Sequence, residues 1–289
     1  MRRKVLLTLF LLPMFVYGQL DLANARIEVT ELAPGLHRFY VERVAVLVFH
    51  GDEGVLLVDA AYELSSKRLK EEVEIIAHAP LRYIVNTHIH GDHTGGNIGL
   101  GQGVDIIAHH SVKEYLSHEQ QRGDRIVPAL PEYARPNITF TDHLTLEFNG
   151  EEIRMHHLYG GHTEGDILVY FPQSRVLSVG DLVFAGYFPF VDTGNGGHPF
   201  RFMDNLVWIV NNFDPDITFV GGHGPALNHE EIIQYHATLQ HTIDVISDAK
   251  KAGMSMDEMK QNKILSRWED MGSFFITEDR WIETVYPFL

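Results

Sequence analysis

The chain has 289 residues, 45% of them apolar, no cysteine, and a formal net charge of -16. That length holds one large or two small domains with a sizeable core, while the missing cysteines exclude a disulfide framework, a thiolate metal ligand and a cysteine-linked lipid anchor. The acidic balance repels phosphate backbones and argues against nucleic acid as a partner.

In chain order, Arg2, Arg3 and Lys4 precede an apolar run over residues 5–16 that contains Pro13. Such a run is too short to span a bilayer, and its basic flank marks residues 1–18 as a secretory signal, with a second cleavage point after Ala25. The mature chain is therefore expected to be exported, periplasmic or secreted, with no stable membrane insertion once the signal is removed. The signal carries no acidic residue, so its loss makes the remainder more acidic still.

Residues 26–30, 36–41, 44–49 and 55–59 are short β-rich runs separated by the turn signals Pro34-Gly35 and Gly51-Asp52. Residues 63–78 have helical spacing, with Leu69, Val73, Ile76 and Ala77 opposite a Lys/Glu face. A strand over 82–86 leads into His88-Ile89-His90-Gly91-Asp92-His93. Three imidazoles and a carboxylate in so short a span are hard to explain as packing. They are donors that zinc takes, and a loop after a strand is where functional side chains collect.

A strand over 104–108 and a helix over 111–121 follow. Further strands are expected at 138–140, 144–148, 153–158, 166–170 and 176–179, and the helices 202–213 and 230–252 flank a strand at 217–220. Two strand-rich halves, each closed by helices, predict one α+β domain over 26–250, built of two packed sheets covered on both outer faces. Residues 251–289, with Trp268, Phe274, Phe275, Trp281 and Tyr286, read first as a helical tail packing on that same domain, with substrate-wall aromatics as the alternative.

The second half places more chemistry after β-runs. Gly160-Gly161-His162-Thr163, Ser178-Val179-Gly180-Asp181 and Gly221-Gly222-His223-Gly224-Pro225 each set a His or Asp beside glycine, where the backbone can turn sharply. With the first cluster they supply His88, His90, His93, His162, His223, Asp92 and Asp181. That is too many donors for one tetrahedral zinc and suits two metals sharing a carboxylate.

In this order the donors resemble the signature of the metallo-β-lactamase superfamily: a His-x-His-x-Asp-His loop, then a His, an Asp or Cys, and a final His. The resemblance covers residues 26–227, including Leu57-Val58-Asp59 and the lead-in Asn86-Thr87. It implies a four-layer αββα sandwich with a dinuclear metal site at one edge of the sheets. His88, His90 and His162 would hold the first metal, Asp92, His93 and His223 the second, and Asp181 would bridge them. The metals would be two Zn2+ per chain, with iron or manganese as alternatives. A shared hydroxide would attack the carbonyl of a small-molecule acyl substrate. Asp92 would act as the catalytic carboxylate, positioning that nucleophile and accepting its proton. Asp59 would orient a ligand imidazole through its other nitrogen.

The histidine doublets His109-His110 and His156-His157 read as surface or satisfied packing. His198, in a glycine-rich loop past Asp181, is a candidate for a pocket wall. The well-known zinc β-lactamases of the superfamily carry Cys at the place of Asp181 and usually Lys three residues later; its lactonases carry Tyr at that later place. Here Phe184 stands there. The expected function is zinc-dependent hydrolysis of a small ester, lactone, amide or related acyl compound, with activated esters and lactones ranked above β-lactams. The alternatives are a β-lactamase of weak or broad activity, an iron-dependent persulfide or thiol oxidation, and a metal-binding protein without turnover.

Overall fold

The computed structural model describes residues 21–289 apart from residue 123, with backbone alone at residues 122 and 125. The expected signal, residues 1–18, lies outside the described residues.

Strands β1 (Ile27–Ala33), β2 (Leu36–Val41), β3 (Val44–Gly51) and β4 (Gly54–Val58) form an antiparallel meander. From Val44 to Phe49 every residue of β3 is buried. Ala45, Leu47 and Phe49 face one core while Val46 and Val48 face another, so the run is continuously apolar instead of alternating. Helix α1 (Ser66–Ile76) crosses to β5 (Leu81–Val85), parallel to β4. The short helices α2 (Gly91–Thr94) and α3 (Asn97–Leu100) precede β6 (Asp105–His109), parallel to β5.

Helix α4 (His110–Leu116) stops short of the expected end at 121. Ser117 turns its hydroxyl back onto the Lys113 carbonyl, and the Leu130 N–H takes the Leu116 carbonyl. The chain then enters a hairpin of β7 (Gln120–Arg122) and β8 (Arg125–Val127). Strand β9 (Ile138–Phe140) completes a seven-stranded sheet, ordered β1-β2-β3-β4-β5-β6-β9.

The second sheet runs β10 (His143–Phe148), β11 (Glu151–His157), β12 (Ile167–Phe171) and β13 (Val176–Phe184) in antiparallel order. Helix α5 (Pro199–Asn212) then leads to β14 (Thr218–His223), which pairs parallel with β13. Helices α6 (His229–Lys251), α7 (Met256–Gln261) and α8 (Glu278–Val285) follow. Both β13 and β14 run past the ends expected at 179 and 220. Asp181 and His223 therefore lie within strands and not beyond them.

The sheets pack face to face through Leu47, Phe49 and Leu56 from the first against Met155, Val169 and Phe171 from the second. Leu69, Val73 and Leu100 from α1 and α3 cover the outer face of the first sheet. Phe202, Leu206, Leu239 and Ile243 from α5 and α6 cover the second. This is the αββα sandwich expected from the sequence. The segment after α6 joins the same core: Trp281 is fully buried, stacks on Phe188 with ring centroids 5.9 Å apart, and donates from Nε1 to Thr242 Oγ1 at 2.8 Å. Among the described residues no helix is long and apolar enough to cross a membrane.

Candidate metal centre

The donors gather at the C-terminal ends of β5, β11, β13 and β14, where loops leave the sandwich at one edge. The loop after β5 is pinned by Asn97, which donates to Asn86 Oδ1 at 2.7 Å and to the Ala134 carbonyl at 3.2 Å. The loop carrying His162 is held by Asp166, which accepts from the His162 N–H at 2.7 Å and the Thr163 hydroxyl at 2.6 Å. Burial pushes the Asp166 carboxyl up to about 7 against those hydrogen bonds.

Two glycines shape the strand ends. Gly180 has φ +49, and the pairing of β13 with β14 shifts register on either side of it. This bulge re-aims Asp181, and a Cβ at Gly180 would stand 2.9 Å from Thr87 Oγ1. At Gly222 a Cβ would fall 1.9 Å from Asp181 Oδ1, so only glycine lets β14 approach the carboxylate.

All seven donors expected from the sequence converge. They form two groups, His88, His90, His162 and Asp181 in one and Asp92, His93 and His223 in the other, with the atoms of each group within 4.8 Å of one another. Every imidazole has its outer nitrogen engaged. The Thr87 hydroxyl donates to Asp59 Oδ2 at 2.8 Å and so accepts from His88 Nδ1 at 3.0 Å. His93 Nδ1 donates to Asp59 Oδ2 at 2.8 Å, His162 Nδ1 to the Phe190 carbonyl at 2.6 Å, and His223 Nδ1 to the Arg43 carbonyl at 2.6 Å. His90 is reversed: its Nε2 meets Asp192 Oδ2 at 2.9 Å and its Nδ1 faces His162 Nε2 at 2.8 Å. Such outer contacts fix the tautomer and aim the remaining nitrogen inward.

Asp181 reaches both groups. Its Oδ2 lies 3.6 Å from His88 Nε2, 3.4 Å from His162 Nε2 and 3.4 Å from His223 Nε2, while Oδ1 lies 3.3 Å from His93 Nε2. Yet His88 Nε2, His93 Nε2 and Asp181 Oδ1 are buried without a hydrogen-bond partner among the described residues. Leaving such atoms unsatisfied costs about 1–3 kcal/mol each. Cations between them would satisfy all three, so the residues present fit a divalent pair.

The electrostatics differ between the two groups of donors. Burial, reinforced by the neighbouring imidazoles, holds His88 well below the usual histidine range and His162 down to about 3, so both offer lone pairs at neutral pH. Burial opposes charge on His93 and His223 as well, but the Asp181 carboxylate outweighs it, aided by Asp59 and Asp92 at His93 and by hydrogen bonds to Asp181 and Asp92 at His223. It raises His93 well above its ordinary value and His223 to about 10. Asp92 is drawn down to about 2, burial notwithstanding, by the charge of His93 and a hydrogen bond from His223. Its side chain stays 29% exposed.

Several aromatic rings border the donors. Phe184, 2% exposed, stacks on His223 with centroids 5.1 Å apart. Phe190 lies over His90 at 5.4 Å. The segment after α7 contributes Phe274, 5.3 Å from His223, and the exposed Phe275, 5.5 Å from Phe190. It therefore does more than pack the core. His198 is a helix cap, its Nδ1 accepting from the Phe200 N–H at 3.2 Å. His109 and His157 stack on each other at 3.8 Å and His156 stacks on Trp208 at 4.8 Å, away from the donors.

Sequence reasoning missed Asp192, Phe190 and Arg43. The first two follow Asp181 in the same loop, a proximity that could have flagged them. Arg43 had no local signal. Its guanidinium lies over Phe274 at 5.3 Å, which brings a cation to this edge from the β2–β3 turn.

A model of the metallo-beta-lactamase superfamily matches residues 40–223, a span that holds all seven donors. The 2,4-dinitroanisole O-demethylase subunit alpha of Nocardioides sp. (strain JS1661) is 27% identical over 227 residues, which are 75% of this chain and 63% of that protein. The chain thus spans less than two thirds of that relative's length. Among solved structures, a metallo-beta-lactamase from Pontibacter korlensis aligns with a TM-score of 0.61 at 20% identity, over 74% of this chain and 99% of that one. The stereoselective inverting sec-alkylsulfatase Pisa1 from Pseudomonas sp. aligns with a TM-score of 0.67 at 14% identity, over 90% of this chain and 50% of that one. At these identities the structural likeness is one of fold.

Proposed function

The chain belongs to the metallo-β-lactamase superfamily, and from that premise we propose that it is a two-zinc hydrolase of small activated acyl compounds, acting outside the cytoplasm. One observation carries the reading: seven donors converge in two groups around buried atoms that no group among the described residues satisfies.

Two zinc ions held by these donors would supply Lewis acidity. The residues do the rest. Asp92, ionised and open to the mouth, takes the proton of the attacking water and returns it to the leaving alcohol as the acyl C–O bond breaks. Asp59 and Asp192 hold His93 and His90 in one orientation. Phe190, Phe274 and Phe275 offer an apolar bed for an aromatic or alkyl group and exclude water around it.

The test is turnover of 4-nitrophenyl acetate and dihydrocoumarin by zinc-loaded protein. Turnover should vanish on chelation and fall about a hundredfold or more in Asp92→Asn. A protein with full metal content that turns over no ester or lactone would contradict the reading.

The Nocardioides relative favours a second reading, cleavage of an activated aryl methyl ether. Release of 2,4-dinitrophenolate from 2,4-dinitroanisole, without turnover of the esters, would make it the better one.

A further inference from the structure

The last donor, His223, sits where the second sheet has least to hold it. Strand β14 is the edge of that sheet, paired with β13 alone, and His223 is its final residue. From the β13 side the Ala185 N–H takes the His223 carbonyl at 3.1 Å, and there the pairing ends. The chain folds back at Leu227, whose N–H and carbonyl exchange hydrogen bonds with Phe219 at 2.8 Å. Gly224, Pro225 and Ala226 thus form a turn outside the ladder, and such ends of elements are where local opening starts.

Strand β2 of the other sheet reaches across to this turn. Arg38 Nη2 donates to the Gly224 carbonyl, and the Gly224 N–H donates to Tyr40 Oη at 3.1 Å. That N–H belongs to the peptide joining His223 to Gly224. Both backbone polar atoms of one residue are therefore held by two side chains from the same face of β2. The guanidinium also lies over the Tyr40 ring at 4.3 Å, which ties the two side chains to each other. At the β2–β3 turn the Arg43 carbonyl takes His223 Nδ1–H at 2.6 Å. Residues 38, 40 and 43 so contact two successive residues of the opposite sheet, the first of them a candidate metal ligand. Arg38 is half-buried, pairs with no carboxylate among the described residues, and has its Nε buried without a partner among them. A cation is costly to bury unpaired, and the hydrogen bond this one makes goes to the backbone beside His223.

We propose that Arg38 and Tyr40 are positioning residues for the second metal: by holding Gly224 they set the angle at which His223 presents Nε2. The inference rests on the two-metal reading and adds to it two side chains of the first sheet that themselves hold no metal. His223 Nε2 lies 3.4 Å from Asp92 Oδ2 and 3.4 Å from Asp181 Oδ2, so a small rotation of the peptide after His223 alters both distances at once. His88, His90 and His162 stand on the loops after β5 and β11 and have no share in these contacts. Loss of the clamp should weaken one metal and spare the other.

The test is the zinc affinity of the purified protein, read by competition with a chromogenic chelator that resolves two dissociation constants. His223→Ala identifies the constant that belongs to the second metal. In Arg38→Met that constant should rise about tenfold while the other stays within twofold, and Arg38→Lys, which keeps a donor, should recover most of the loss. Tyr40→Phe should raise the same constant by a smaller factor, and it carries the test if Arg38→Met does not fold. Both constants within twofold of wild type, or both weakened alike, overturn the proposal, whatever happens to the melting temperature of the metal-free protein. If wild type takes up one zinc only, the two-metal reading fails, and the clamp is judged by the His223 Nδ1–H resonance of the metal-free protein. Faster exchange of that proton with solvent in Arg38→Met supports it, and exchange as in wild type overturns it.

Discussion

Asp59 Oδ2 accepts the Nδ1–H of His93 at 2.8 Å, and through the same oxygen it accepts the Thr87 hydroxyl that in turn receives His88 Nδ1–H. One buried carboxylate therefore sets the tautomer of an imidazole in each half of the centre. It sits at φ +65, a backbone conformation that Asp and Asn tolerate better than most residues.

Asp59→Asn tests that relationship without straining the backbone. The amide can still accept from the Thr87 N–H, now made to Asp59 Oδ1 at 2.8 Å, but it offers His93 a donor where an acceptor stood. Zinc affinity should fall about 10- to 100-fold, read by competition with a chromogenic chelator, while far-UV circular dichroism stays as in wild type. Unchanged affinity would remove Asp59 from the positioning role.

Gly222→Ala tests the close approach of β14 to Asp181. The added methyl would fall 1.9 Å from Asp181 Oδ1, so the carboxylate must swing away from one group of donors. Metal content should drop below that of wild type with the fold retained. Full metal content in a folded Gly222→Ala protein would show that Asp181 is free to move.

The donor loop was legible in the sequence because its chemistry is local: His88, His90, Asp92 and His93 fall in one short span after an apolar strand. The β3 and β4 runs were legible for a similar reason, as stretches of apolar residues bounded by turn signals. Helix α4 was overextended because its end is set by Leu130 and Ser117, and only the first of these is distant. The reach of β13 through Asp181 was hidden by Gly180, which reads as a strand end but here makes a bulge. Arg43 and Phe190 become neighbours of the site only when the β2–β3 turn, the loop after β13 and the segment after α7 meet. No periodicity or spacing encodes that meeting.

The tail's attachment to the core is testable apart from any chemistry. Thr242 is fully buried and its Oγ1 accepts from Trp281 Nε1. Thr242→Val leaves the indole N–H without a partner, which costs about 1–3 kcal/mol. The melting temperature of the metal-free protein should fall by several degrees. An unchanged melting curve would mean that Trp281 finds another acceptor or that α8 contributes little.

Acid sensitivity has a source outside the centre. His109, 3% exposed, is held down to about 4 by burial and by the facing His157 and His110. Between pH 4 and 6.5 the unfolded chain therefore binds more protons at this residue than the folded one. Its contribution is complete above pH 6.5, is lost as pH falls through that window, and levels off below 4. In chelator, His109→Gln should show a shallower loss of stability from pH 6.5 to 4 than wild type. An equal slope would assign the acid limb to other groups.

Elemental analysis of the purified protein bears most directly on the proposed two-metal centre. The account predicts about two zinc ions per chain, with chelation lowering the melting temperature because donors from both halves of the sandwich lose their common ligand. A single tightly bound iron, or a chain that melts identically with and without its metal, would contradict it.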